Sequence, residues 1–170
     1  SPLRPADGRM TVLCVSNYSW YRGTDRIVDI AAALKTIAPQ AKIGFRVVGD
    51  PLITGAQTLE LIRIASAGGS LADYAAARGV ADIVECAGFS QDVPSELARA
   101  HVLVKPTREA NPWGRDIIEA MASGLPVISV GSDSSFVETD VTGFLQKEFD
   151  ATTVARILLE WSCQPEVLKT

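Results

Sequence analysis

At 170 residues the chain falls in the ordinary size range of one domain, and a domain of that length buries roughly two thirds of its unfolded surface, enough for a core. Hydrophobic residues make up 47% and charged residues 21%, a globular composition in which no apolar run approaches the roughly 20 residues of a membrane span. The 16 basic and 20 acidic residues leave a net charge of -4, which excludes a broad electrostatic grip on nucleic acid or anionic lipid and leaves anion binding to local basic spots.

Ser1-Pro-Leu-Arg-Pro-Ala-Asp-Gly8 is polar and carries no apolar segment of signal-peptide type, so residues 1–9 read as a linker or chain edge and 10–170 as the folded domain. Met10 to Ser16 is a short, β-branched, nearly continuous apolar run, the pattern of a parallel strand covered on both faces. From Thr24 to Ala38 the apolar residues recur at helical spacing until Pro39 stops them. Lys42 to Gly49 returns to strand, Gln57 to Ala67 is helical, Gly68-Gly69 breaks it, and Leu71 to Ala77 is a further short helix. Ile83 to Ala87 and His101 to Lys105 read as strands with the helical Ser95 to Ala100 between them. Arg115 to Ser123 is helical and closes at Gly124, Leu125 to Val130 is the next strand, and Ala151 to Trp161 is a last helix.

Strands alternating with helices of this length require crossover connections, so the expected fold is α/β, a Rossmann-like three-layer sandwich with a mostly parallel sheet. Such sheets bind ligands outside the carboxyl ends of the strands, near the point where strand order reverses. The loops that follow Ser16, Gly49, Cys86, Lys105 and Val130 are therefore the ones to inspect. No dinucleotide or Walker fingerprint occurs, because Gly68-Gly69-Ser70 follows a helix and not a strand. Cys14, Cys86 and Cys163 are odd in number and far apart, unlike a metal site. Cys14 and Cys86 lie in apolar strand-like runs and are expected as small core residues of a reducing compartment. The single His101 has no nucleophile or ligand cluster beside it, and a structural role is expected.

The segment Lys105-Pro-Thr-Arg-Glu-Ala-Asn-Pro-Trp-Gly-Arg-Asp-Ile-Ile-Glu-Ala-Met-Ala-Ser-Gly-Leu-Pro-Val-Ile-Ser129 carries the chemistry, running from strand end through polar loop and helix to strand. Backbone N–H groups at the helix start, near Gly114, Arg115 and Asp116, are placed for an anion such as a diphosphate. Ile117, Ile118 and Met121 are expected on the buried stripe, with Glu119 beside it and able to reach back over the helix N-terminus. From spacing alone Glu119 is either a solvated helix glutamate or a ligand of vicinal ribose hydroxyls. Trp113 and Pro112 read as packing or stacking residues, and Trp20 and Tyr21 are expected to face a cleft.

This segment resembles the signature of retaining glycosyltransferases of the family 4 type, whose GT-B architecture sets two Rossmann-like domains face to face. In that signature a proline-polar loop runs into Glu, seven residues, Glu, then Ala-Met-Ala-x-Gly-x-Pro-Val-Ile, and the chain reproduces it from Glu119 to Ile128. Val15-Ser-Asn-Tyr-Ser-Trp-Tyr-Arg-Gly23 resembles the family's first strand and loop, Val47-Val-Gly-Asp50 the second strand end, Cys86-Ala-Gly-Phe89 a later strand end, and Val141-Thr-Gly-Phe-Leu145 its late hairpin.

The resemblance implies a donor-binding half that holds a nucleoside diphosphate sugar and transfers its hexosyl unit, with retention, to an acceptor hydroxyl. Its partner would be an N-terminal domain of the same polypeptide outside this chain, which supplies acceptor contacts, so the chain alone is expected to turn over little. Glu119 matches the glutamate assigned to the donor ribose, and Arg22, followed directly by Gly23 and a helix start, matches the phosphate-binding lysine. The loop Val130 to Ser135 matches the one that closes on the donor, where Gly131 admits close backbone approach. Backbone groups around Gly88 and Phe89 match the place of base recognition, and Lys105 is a further cation for the diphosphate. Two positions depart from the pattern. The family's first signature glutamate falls at Asn111, and an arginine five residues before the phosphate-binding lysine falls at Asn17. Either the site is redistributed, with Arg115 restoring positive charge and Glu109 standing in for the lost carboxylate, or catalytic power is lost. Asn111 and Arg22 are the expected catalytic residues.

No cofactor and no metal are expected, and neither a nucleic acid partner nor a direct membrane span. The implied setting is cytoplasmic, membrane-peripheral at most through the other domain, in polysaccharide or glycolipid synthesis. The competing readings are a non-catalytic nucleotide-sugar-binding module and a sugar-nucleotide epimerase or phosphorylase of the same architecture.

Overall fold

A parallel strand buried on both faces is apolar along nearly all its length, and β1 (Met10–Val15), interrupted only by Thr11, shows how that works here. Val12 and Cys14 pack into one hydrophobic layer while Leu13, pointing the other way, packs into a second. The computed structural model describes residues 8–164. The linker expected over residues 1–9 therefore lies outside the described residues except for Gly8 and Arg9.

The chain continues through α1 (Asp25–Ile37), β2 (Ile43–Val48), α2 (Leu59–Ser66), α3 (Leu71–Ala77), β3 (Val84–Gly88), α4 (Val93–Arg99), β4 (Val102–Lys105), α5 (Arg115–Ala122), β5 (Val127–Val130), β6 (Gly143–Gln146) and α6 (Ala151–Cys163). The six strands form one sheet in the order β3-β2-β1-β4-β5-β6, and every strand pair is parallel. The order reverses between β1 and β4, where the chain, having built the sheet outward in one direction, crosses back to build the other half.

Helices cover both faces. Helix α1 packs against α6 and α3 over the layer that holds Val12, Val104 and Ile128. Helices α4 and α5 cover the opposite layer, where Leu103, Ile117, Ala120 and Val127 are buried. The expected helix faces hold with one correction: Ile117 is fully buried, but Ile118 is exposed and Met121 only half-buried, because α5 seats Ile117 and Ala120 on the sheet and turns Ile118 outward. His101 is structural, as expected: it is buried, and its Nδ1 accepts the Thr11 backbone N–H at 2.9 Å, tying β1 to the start of β4.

The segment expected as a late hairpin is corrected as well. Val141 and Thr142 lie in a turn, and Gly143–Gln146 runs parallel to β5 as the sheet's edge strand, with Val127 opposite Gly143 and Val130 opposite Gln146. Gly143 permits this approach, since a Cβ built there would lie 1.8 Å from the Val127 carbonyl oxygen.

Candidate functional site

Where strand order reverses, the loops after β1 and β4 diverge and leave a crevice at the carboxyl end of the sheet. A cavity of about 590 Å³ opens there. Its walls come from the end of β1 and its loop (Cys14, Ser16, Arg22), the β3 loop (Phe89), the β4 loop (Glu109, Asn111) and the first turns of α5 (Gly114, Arg115, Glu119), with Lys105 at the end of β4. The structure thus brings together Arg22, Phe89, Lys105, Glu109, Asn111, Gly114, Arg115 and Glu119, residues separated by up to a hundred positions in sequence.

Asn17, Gly23, Gly88 and Gly131 do not line it, and each has a local job. The Asn17 side chain accepts the Asp50 backbone N–H at 2.8 Å, joining the loops after β1 and β2. Gly23 has φ +69°, and a Cβ there would lie 2.0 Å from the Pro106 carbonyl oxygen, so glycine lets the Arg22 loop press against the β4 loop. Gly131 likewise packs on the signature loop, where a Cβ would come within 2.8 Å of the Ala110 carbonyl oxygen. The Gly88 carbonyl accepts the Gly49 N–H at 2.8 Å.

Electrostatic pairing inside the cavity separates its cations. Lys105 Nζ donates to Asp116 Oδ1 at 3.0 Å and to the Trp113 carbonyl oxygen at 2.7 Å, with both side chains about four-fifths buried. An ammonium under a helix N-terminus is poorly placed against the helix dipole, and Asp116 offsets it. Arg115 Nε donates to Glu119 Oε1 at 2.6 Å one turn along α5, an exposed pair that contributes little to stability and holds the glutamate over the cavity rim. Arg22 has no carboxylate partner among the described residues, and it lines the same cavity as the first turn of α5. At the floor, burial and then the Asp116 carboxylate push the Cys14 thiol up to about 12. A thiol held protonated in this way is a packing residue.

The signature loop is held in an uncommon conformation, since Ala110 adopts a left-handed φ of 50° immediately before Asn111. Two residues that sequence reasoning missed brace this loop. Buried Asp25, the first residue of α1, takes a two-pronged ion pair from Arg108, at 2.7 Å and 2.6 Å. The only local signal is an acidic residue opening an apolar helix two residues after Gly23. Its partner lies 83 residues away. Among the described residues no cluster of three or more His, Cys, Asp or Glu could hold a metal ion, and no helix is long and apolar enough to cross a membrane.

The family described as Glycosyl transferases group 1 matches residues 9–162. Among solved structures, Anabaena Alr3699/HepE in complex with UDP and glucose superposes with a TM-score of 0.75 at 24% identity, covering 96% of this chain and 41% of HepE. The C-terminal domain of the glycosyl transferase group 1 family protein LpcC from Francisella tularensis gives 0.72 at 18% identity, covering 94% of this chain and 78% of that domain. WaaG, a glycosyltransferase involved in lipopolysaccharide biosynthesis, gives 0.72 at 19% identity, covering 96% of this chain and 40% of WaaG. At these identities the likeness is one of fold: the α/β domain corresponds to the C-terminal half of GT-B glycosyltransferases, and the chain spans about two fifths of HepE and WaaG. Among curated proteins no match is found.

Proposed function

We propose, for a chain that belongs to the glycosyl transferases group 1 family, that the cavity between β1 and β4 holds a nucleoside diphosphate sugar as the donor half of a glycosyltransferase. The observation that carries this reading is the pairing pattern. Lys105 and Arg115 are each engaged by a carboxylate, whereas Arg22 lines the same cavity as the N-terminus of α5 with no such partner among the described residues. A diphosphate would satisfy both the guanidinium and the helix-end N–H groups. Glu119 on the rim keeps acceptor capacity beyond its bond from Arg115 and suits a ribose diol. The related fold of HepE, solved with UDP and glucose, is consistent with this assignment.

In the reaction, the bond between the anomeric carbon and the diphosphate oxygen breaks, the acceptor oxygen forms its bond to that carbon with retention, and the acceptor hydroxyl's proton passes to the departing diphosphate. Charge gathers on the departing diphosphate, so Arg22 and the α5 N-terminus contribute by stabilising that charge more strongly than in the ground state. Asn111, at the sugar end of the signature loop, hydrogen-bonds the hexosyl unit without adding charge. Acceptor contacts belong to an N-terminal domain of the longer polypeptide, and the setting is cytoplasmic synthesis of a polysaccharide or glycolipid. A second reading, a donor-binding module without transferase activity, is favoured by the two uncharged residues Asn17 and Asn111 in slots where the family carries charge. It predicts donor binding by the full-length protein with no transfer to any acceptor.

Calorimetric titration with UDP, GDP, ADP and their sugar conjugates tests the proposal. One nucleotide series binds selectively, and Arg22→Ala and Glu119→Ala each weaken it at least about tenfold, the loss of one charge-assisted contact. Binding that is indifferent to both substitutions would place the nucleotide elsewhere.

A further inference from the structure

The loop that carries Arg22 and the loop that carries Glu109 and Asn111 are joined behind the cavity mainly by Arg108, with the Thr107 hydroxyl adding a longer bond to the Tyr21 carbonyl oxygen at 3.4 Å. The Arg108 guanidinium donates to both oxygens of buried Asp25, at 2.7 Å and 2.6 Å, and to the Trp20 carbonyl oxygen at 2.7 Å. It also lies over the Trp20 ring, 3.4 Å from its centroid. Its own backbone N–H donates to the Tyr21 carbonyl oxygen at 2.7 Å. Residues 20 and 21, the two that precede Arg22, are therefore anchored by the residue that immediately precedes Glu109. Arg108 is 17% exposed and does not line the cavity, so it does not meet a ligand there.

We infer that Arg108 is a positioning residue: it fixes the Arg22 loop so that the Arg22 guanidinium faces the start of α5 across the cavity. The inference rests on the reading of that cavity as a diphosphate site. The physical case is that a loop arginine, left alone, samples many rotamers and contributes little to binding until ordered. Arg108 removes the backbone part of that freedom before any ligand arrives. Its geometry is planar and two-pronged with a ring beneath it, a job a lysine performs poorly because its point charge neither forks nor stacks. Arg26 strengthens the same seam, donating to the Pro106 and Thr107 carbonyl oxygens at 3.2 Å and 3.1 Å.

The test titrates the chain with UDP, GDP and ADP and with the matching monophosphates, in the parent, Arg22→Ala, Arg108→Lys and the combined variants. Arg108→Ala would leave Asp25 buried without its partner, so Arg108→Leu/Asp25→Asn, which removes both charges, serves as the second variant. The parent prefers diphosphate over monophosphate. Both Arg108 variants lower that preference about tenfold, toward the Arg22→Ala value, and add no further loss once Arg22 is gone. Folded Arg108 variants that keep the parent's preference, or losses that multiply with Arg22→Ala, overturn the inference while leaving the cavity reading intact. Failure of the parent to bind any nucleotide overturns the cavity reading instead. Hydrogen exchange then decides whether Arg108 holds the loop at all: faster exchange at residues 19–23 in Arg108→Lys, with the sheet unchanged, supports it, and unchanged exchange refutes it.

Discussion

Arg46 on β2 grips Glu96 on α4 with two prongs, Nε to Oε2 at 2.7 Å and Nη2 to Oε1 at 3.0 Å, while its Nη1 reaches Glu85 on β3 at 2.9 Å. The Arg46 hydrogen bonds hold the Glu96 carboxyl below its usual range. Because the unfolded state takes up that proton first, the pair's stabilisation is complete above the ordinary carboxyl range and is lost as pH falls through the native value. Glu96→Gln is expected to lower stability at pH 7 by about 1 to 2 kcal/mol, roughly 3 to 6 °C in Tm. Parent and variant melts should converge on acidification. Melts that stay parallel at every pH would mean that the carboxylate's charge contributes nothing.

Lys105 and Asp116 form a nearly buried pair with a predictable asymmetry. Lys105→Met leaves Asp116 and the Trp113 carbonyl without their donor and is expected to cost about 2 kcal/mol, whereas Lys105→Met/Asp116→Leu recovers most of that, since an apolar replacement of a buried pair is often neutral. Thermal melts of the two variants check the order. If the pair instead belongs to the donor site, the double variant will be stable and still bind nucleotide diphosphate weakly, which calorimetry separates from a loss of fold.

The strands and the helices beside them were legible because each depends on local pattern. Met10 to Val15 is apolar but for Thr11 since both faces are covered, and Asp25–Ile37 shows a helical repeat ended by Pro39. The site's outline was legible for a different reason, the ordered motif from Glu119 to Ile128 with Arg22 upstream. What escaped reading was pairing over long separations. Nothing around Lys105 says that its ammonium is held by Asp116, nor around Asp25 that Arg108 sits on it. The hairpin that the resemblance implies at Val141–Leu145 is a turn and a parallel edge strand instead, and a short edge segment after a turn has the same local composition whether its neighbour runs parallel or antiparallel. Asn17 was read as a lost charge, and its side chain serves the Asp50 backbone.

Gly143 provides a test of that edge strand. A methyl group there meets the Val127 carbonyl oxygen at 1.8 Å, which the backbone cannot absorb without moving β6 away from β5. Gly143→Ala is expected to destabilise by about 3 kcal/mol, roughly 6 to 12 °C in Tm, as an overpacked contact does. It should also speed hydrogen exchange in residues 143–146 ahead of the central strands. A variant that melts with the parent would show that β6 is not seated as described.

Two of the three cysteines, Cys14 and Cys163, report on the cavity without any substitution. Cys163 is exposed near the chain's described end, whereas Cys14 is buried at the cavity floor with its thiol raised to about 12. At pH 8 a thiol so raised holds roughly a thousandfold less thiolate than an ordinary exposed one, and thiolate is the form that reacts. Alkylation should therefore modify Cys163 first, and Cys14 only when the β1 end opens. Because a bound nucleotide diphosphate would cover the floor and favour the closed state, its addition should slow Cys14 labelling in proportion to occupancy while leaving Cys163 unchanged. Fast labelling of Cys14 in the folded chain would contradict its burial. Labelling of Cys14 that ignores a nucleotide already shown to bind would move that ligand out of the cavity between β1 and β4.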